Sequence, residues 1–157
     1  MSIPSTALTA AVTILYGMLL TLSLRSFADE IPQPDFKERP LEYVSRHEIA
    51  YRWDNNRLEQ VEDILLIGDM SDKKLTFYIK TIGNNHHICN ATGDAQKSGD
   101  HYLFAQKECR LQIKFDANKA TVSDVAGHCQ KYFCGMMGNL QGDFVKRRSK
   151  TPQGGDT

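Results

Sequence analysis

From Leu41 onward the chain alternates between apolar and polar positions. Leu41, Tyr43, Ile49, Tyr51 and Trp53 share one parity, with Glu42, Arg46, Glu48 and Arg52 on the other. Period two predicts one or two half-buried strands. Asp54-Asn55-Asn56 reads as a turn. Leu58, Val61 and Leu65 fit one helical face, whereas Ile64-Leu65-Leu66-Ile67 fits a buried strand. The expectation there is a short irregular or helical turn leading into a strand. Asp69 to Lys74 is turn-like, and Leu75, Phe77, Ile79 and Thr81 alternate up to Gly83-Asn84-Asn85. His87, Cys89 and Ala91 continue with the same period to Gly93, and Tyr102 and Phe104 follow Ser98-Gly99-Asp100. Cys109, Leu111, Ile113 and Phe115 alternate against Arg110, Gln112 and Lys114, before Asp116-Ala117-Asn118-Lys119 turns the chain towards Thr121-Val122-Ser123. Elements recurring at intervals of roughly 8–14 residues with turn signals between them predict a mainly β fold, an antiparallel sandwich or small barrel.

The ends divide from this domain. Ala10 to Leu24 is an uncharged, largely apolar run, and Ser26 and Ala28 put small residues at −3 and −1 of a cut before Asp29. Residues 1–28 therefore read as a secretory signal peptide, with an uncleaved membrane anchor as the competing reading. Residues 29–40, with Pro32, Pro34 and Pro40 among charges, are expected to be an extended, solvated lead-in. Residues 41–145 form the single β-rich domain, and 146–157, opening Lys146-Arg147-Arg148-Ser149-Lys150, a basic mobile tail. No stable membrane span is expected once the leader is cut. A chain of 157 residues leaves no room for a second large domain. Nineteen basic against nineteen acidic residues remove the simplest case for a nucleic-acid binder, which needs excess cations to displace counterions. Apolar residues at 41% exclude a disordered chain.

Four cysteines behind a leader, Cys89, Cys109, Cys129 and Cys134, read as two disulfides in an oxidising compartment, periplasmic or secreted. Three pairings are open. Stapling of neighbouring elements favours Cys89–Cys109 and Cys129–Cys134. The spacing Cys129-x4-Cys134 is wider than a C-x2-C zinc knuckle, so structural zinc is disfavoured and no cofactor is expected. His86-His87 before Cys89 attracts attention as a metal site. In a strand, however, His86 faces away from His87 and Cys89, and an oxidised Cys89 is neither ligand nor nucleophile. Glu59, Glu62 and Asp63 cluster, as do Asp69 and Asp72, but in polar sequence where solvation is the default; a glycosidase would need one carboxyl raised by burial across a cleft. There is no phosphate loop and no nucleophile elbow. No catalytic residue is assigned. Asn90-Ala91-Thr92 matches the short glycosylation triplet.

The most distinctive stretch runs from Gly127 to Phe144, where Cys129 and Cys134 bracket a short aromatic turn. Its Tyr132, Phe133, Met136 and Met137 either pack or project to contact another protein, and packing is the commoner fate. Thr81-x-Gly83-x-Asn85-x-His87-x-Cys89, then Gly93-x-Ala95, Tyr102, Cys109-x-Leu111 and Cys129-x4-Cys134-Gly135 with Leu140 and Gly142 resemble a group of small exported four-cysteine bacterial proteins of largely uncharacterised role. That resemblance covers about half the chain. Members tend to carry Ala-Arg after the Cys-Gly, where this chain has Met136-Met137. Ser98-Gly99-Asp100-His101-Tyr102 also resembles, with one fewer intervening residue, the Ser-Gly-x-x-Tyr-like loop of periplasmic C-type lysozyme inhibitors. This second resemblance implies partner contacts at Ser98, Gly99 and Tyr102 and at a lysine further on, Lys107. A hydroxyl and an ammonium suit the two catalytic carboxylates of a muramidase. The second half of that family's motif, with Trp and Lys-Gly, is absent.

The expectation is an exported, non-enzymatic binding protein that presents rigid loops, Tyr132 and Phe133 included, to a protein partner in the cell envelope. A lysozyme-like cell-wall hydrolase is the specific candidate. The alternative is a periplasmic small-ligand or metal-binding module that uses a barrel interior.

Overall fold

A computed structural model of the chain describes residues 33–51, 54–135 and 137–148. The leader at 1–28, the start of the lead-in, Trp53, Met136 and the end of the tail lie outside those residues. Eight strands form a closed antiparallel barrel in sequence order. They are β1 (Leu41–Tyr51), β2 (Asp54–Gly68), β3 (Lys74–Gly83), β4 (His87–Ser98), β5 (His101–Gln106), β6 (Cys109–Asp116), β7 (Lys119–Asp124) and β8 (Gly142–Lys146). A single 3-10 turn, Asn84–His86, joins β3 to β4, and a short helix α1, Cys129–Phe133, precedes β8. Of the two expected architectures, then, the barrel is the one formed. Closure pairs β1 with β8 at Tyr43↔Lys146 and Val44↔Val145, which leaves the barrel no open edge at that seam.

The inward parity is the apolar one. Phe77, Phe144, Leu65, Ile67, Leu75, Ile79, Leu111 and Ile113 are fully buried, so side chains fill the interior. β4 carries only Cys89, Ala91, Gly93 and Ala95 on that parity, and large rings occupy the space this leaves. Phe104 lies over Gly93, which is held at φ +155, and a Cβ there would stand 2.7 Å from the Phe104 ring. Phe104 in turn meets Phe77 edge-on at 5.1 Å. At the opposite end Tyr43 and Tyr102 flank Phe115, and the Tyr102 hydroxyl donates to Ser71 O at 2.9 Å.

Three local expectations are corrected. Residues 54–68 are strand throughout, with no helical turn, and Tyr51 pairs with Asp54 where a turn was expected. Two inward polar residues, Glu59 and Asp63, hide the period-two pattern, while Leu58 points outward and is 57% exposed. The lead-in is not wholly solvated, since the Phe36 ring packs across Gly68. The tail does not start at Lys146, which ends β8 and donates its amide to Asn118 O at 2.7 Å. Arg147 then pairs with Glu42 and Glu62.

The disulfide pairing is also corrected. Cys89 is bonded to Cys134 and Cys109 to Cys129. The two cysteines of the distinctive stretch do not join each other across a turn. They flank a helix, and each rivets one end of it to a different strand.

Candidate functional site

In an up-and-down barrel alternate connections meet at the same end. One end of this barrel therefore gathers the free half of the β1–β2 hairpin, the 3-10 turn, the β5–β6 loop and the segment 125–141 with α1. β4 and β5 share a ladder only from Gln96↔Leu103 to Ser98↔His101, and they part above it. α1 sits over this parting. Cys129 ties its start to β6, Cys134 ties its end to β4, and Phe133 packs on Phe104 at 5.9 Å. Asp124 steadies the approach, accepting the amides of Gly127 at 2.9 Å and Cys129 at 2.8 Å. The segment then continues across the barrel mouth, where Thr81 Oγ1 donates to Asn139 O at 2.5 Å and Leu140 enters the core. The cavity between Asp124, Gln130 and Gln141 holds about 150 Å³, which suits a few waters and falls short of the usual size of a ligand pocket.

On this end Lys107 and Lys131 stand over the Tyr132 ring at 5.1 and 5.2 Å, within cation–π range. The Tyr132 hydroxyl donates to Glu108 at 2.9 Å, and Lys131 lies 3.4 Å from the same carboxylate. That hydroxyl first, and Lys131 second, hold the Glu108 carboxyl below its usual range. Lys107 takes part in none of the ion pairs among the described residues. Its backbone is at φ +51 and its carbonyl accepts from Arg110 at 2.6 Å, two residues before the Cys109 rivet. Met137 and Ile88 are exposed nearby in the fold, at 66% and 44%.

The predicted partner residues are thus divided. Lys107, Tyr132 and Phe133 share the α1 end, with Phe133 half-buried against the core. Ser98 and Gly99 belong to the two-residue β4–β5 hairpin at the other end; Gly99 takes φ +61 at the first loop position, as a type II′ turn requires. The five steps of β5 separate the two groups by roughly 17 Å. Tyr102 is buried beneath this hairpin and presents no contact surface. The structure does not bring Ser98 and Lys107 together.

At the Ser98 hairpin, Lys114 and then His101 hydrogen-bond Asp100 and hold its carboxyl down at about 2. A depressed acid stabilises the fold above its unfolded value, and the contribution fades as pH falls towards 2. Replacing Lys114 by Met is expected to return the Asp100 midpoint most of the way to an ordinary ~3.9. Carboxyl 13C titration reads this directly, and an unmoved midpoint would refute the assignment to Lys114.

Sequence reasoning missed the ionisable groups under the β1–β2 hairpin. Asp63, expected to be solvated, is 8% exposed and points inward; burial pushes its carboxyl up. His47 of β1, paired with Val61, lies diagonally from it, with Nδ1 3.6 Å from Asp63 Oδ2. Further out, Tyr51 donates to Glu59 at 2.5 Å and contacts His86 Nε2, with Arg57 over the Tyr51 ring at 4.9 Å. The hydrogen bond to Glu59 raises the Tyr51 phenol and lowers the Glu59 carboxyl. The available signal was parity: His47, Tyr51, Glu59 and Asp63 all fall on inward positions. His86 sits on the 3-10 turn and His87 at the start of β4, so the adjacent histidines serve different neighbourhoods. Among the described residues no group of three His, Cys, Asp or Glu is placed to hold a metal ion. Asn90 is buried in β4 and Thr92 donates to Phe77 O, so the glycosylation triplet is closed off in the folded chain. No helix among the described residues is long and apolar enough to cross a membrane. No family model matches the chain, and no curated protein or solved structure matches it.

Proposed function

We propose that this chain is an exported, non-enzymatic binding protein whose α1 end docks on a protein partner of the cell envelope. The observation that carries the reading is the double rivet: two disulfides hold an aromatic, lysine-flanked segment rigidly across one barrel mouth. A surface ordered before binding loses little conformational entropy on association. Bonding of all four cysteines favours an oxidising compartment, which agrees with the leader pattern. A filled interior supports surface recognition over the small-ligand alternative.

The finer form of the proposal makes that partner a lysozyme-like cell-wall hydrolase. Its paired carboxylates would receive Lys107, whose ammonium is preorganised on Tyr132 and makes no ion pair among the described residues. Ser98 contributes nothing in this version. Lytic assays of a muramidase panel with the mature domain provide the test. Inhibition weakened at least tenfold by Lys107→Ala or Tyr132→Ala, and left intact by Ser98→Ala, is the expected result. Absence of inhibition across the panel removes the hydrolase. Capture of envelope proteins unaffected by Lys107→Ala and Tyr132→Ala removes the docking surface itself.

A further inference from the structure

We propose that His47 and Asp63 form a pH-sensitive clasp that seats the free half of the β1–β2 hairpin on the end of β3. The ladder between β2 and β3 stops at Ile64↔Lys80, although β2 itself starts at Asp54. Beyond that point side chains take over the work of the ladder. Asp63 Oδ1 accepts the Ile82 amide at 2.8 Å, and His47 Nε2 meets the Ile82 carbonyl at 2.9 Å. Both backbone groups of one β3 residue are thus held by side chains from the two hairpin strands.

This geometry sets the protons. A carbonyl only accepts, so Nε2 must carry hydrogen, and a neutral His47 then presents a bare Nδ1. Nδ1 stands 3.6 Å from Asp63 Oδ2, an ion-pair separation longer than a hydrogen bond. With one proton between them, either an imidazolium faces a carboxylate or a carboxylic acid faces an imidazole. Without it, a nitrogen lone pair faces a carboxylate anion whose side chain is only 11% exposed. Burial raises the Asp63 carboxyl, against the Ile82 amide and His47, so charging it in the fold is costly. A raised acid stabilises at low pH, and its contribution is lost as pH rises through the folded value. The clasp is therefore tight when the couple holds its proton and loose when it does not. The His47 side chain is 38% exposed, which gives that proton a route to solvent.

Other groups leave the couple isolated. On the inward parity of β1 and β2 the remaining titratable residues described are Tyr43, Tyr51, Arg57 and Glu59, and Arg57 stands over the Tyr51 ring at 4.9 Å. Tyr51 and Glu59 are engaged with His86, the ionisable residue of the 3-10 turn. Tyr43 lies four positions down β1, opposite Lys146 of β8. β3 offers Thr81 and the Ile82 backbone, with no ionisable side chain on this parity, and the segment from Met137 to Gln141 has none. Glu62 faces outward to Arg46 and Arg147. This inference does not rest on the docking proposal.

The test is hydrogen exchange of the Ile82 amide, expressed as a protection factor so that intrinsic pH effects cancel. Between about pH 4, the ordinary carboxylate value, and about pH 8, protection is expected to fall roughly tenfold as the raised Asp63 carboxyl loses its proton, with Ile79 unchanged. Asp63→Asn keeps an oxygen for the Ile82 amide without the charge, so its protection should not depend on pH. His47→Gln should be poorly protected at both pH values. A flat wild-type profile, or a pH dependence that survives Asp63→Asn, overturns the clasp. Should Asp63→Asn fail to fold, ring 15N shifts of wild-type His47 decide. Nε2–H retained wherever the Ile82 amide is protected supports it, and mixed tautomers there refute it.

Discussion

Replacing Cys89 and Cys134 together by alanine is expected to lower the unfolding free energy by about 4 kcal/mol, and replacing Cys109 and Cys129 by about 3 kcal/mol. The order follows from the separations, 45 residues for the first bond and 20 for the second, because a longer closed loop restricts the unfolded chain more. Joining Cys89 to Cys109 and Cys129 to Cys134 instead would have closed separations of only 109 − 89 = 20 and 134 − 129 = 5 residues. The observed pairing is the more stabilising of the two on this ground. Urea unfolding of the two double variants checks the size and the order, and an inverted order would show that native packing around the sulfurs outweighs loop closure. Each loss also frees one end of α1, so the Lys107–Tyr132 face should weaken as a docking surface even where the barrel still folds.

Phe104→Ala is expected to cost about 3–5 kcal/mol, the usual range for deleting a buried aromatic ring. This ring touches Phe77 in the core, Phe133 on α1 and the bare backbone of Gly93. Gly93→Ala should cost about 2–4 kcal/mol by itself, from an L side chain at φ +155 and from the clash with Phe104. With Phe104 removed the clash vanishes and only the backbone strain remains. The double variant should therefore be more stable than the two single costs predict, by at least about 1 kcal/mol. Strict additivity in denaturant titrations would mean that Gly93 is required for its dihedral alone.

The strands from Leu75 onward were legible because nearly every inward position there is apolar. β2 was not, because Glu59 and Asp63 occupy inward positions and Leu58 an outward one, which leaves a spacing that imitates a helix. Those inward polar residues are also what sequence reading overlooked around the site. Asp63 resembled its solvated neighbours until His47 from β1 and Ile82 from β3 surrounded it. Ser98 and Lys107 looked like parts of one motif because nine positions separate them (107 − 98 = 9). The strand between them carries them to opposite ends of the barrel.

Side-chain parity is a local property of an extended backbone, so the sequence by itself determined the strands from Leu75 onward, their inward apolar set and the turns between them, while β2 and its start escaped it. It also determined that four cysteines behind a leader-like run would serve as staples. Which sulfur meets which, and which polar residues are buried, depend on the closing of β1 against β8 and on α1 lying over the parting of β4 and β5. Those contacts join residues far apart in the chain and leave no periodic trace in it, so tertiary structure alone decided them.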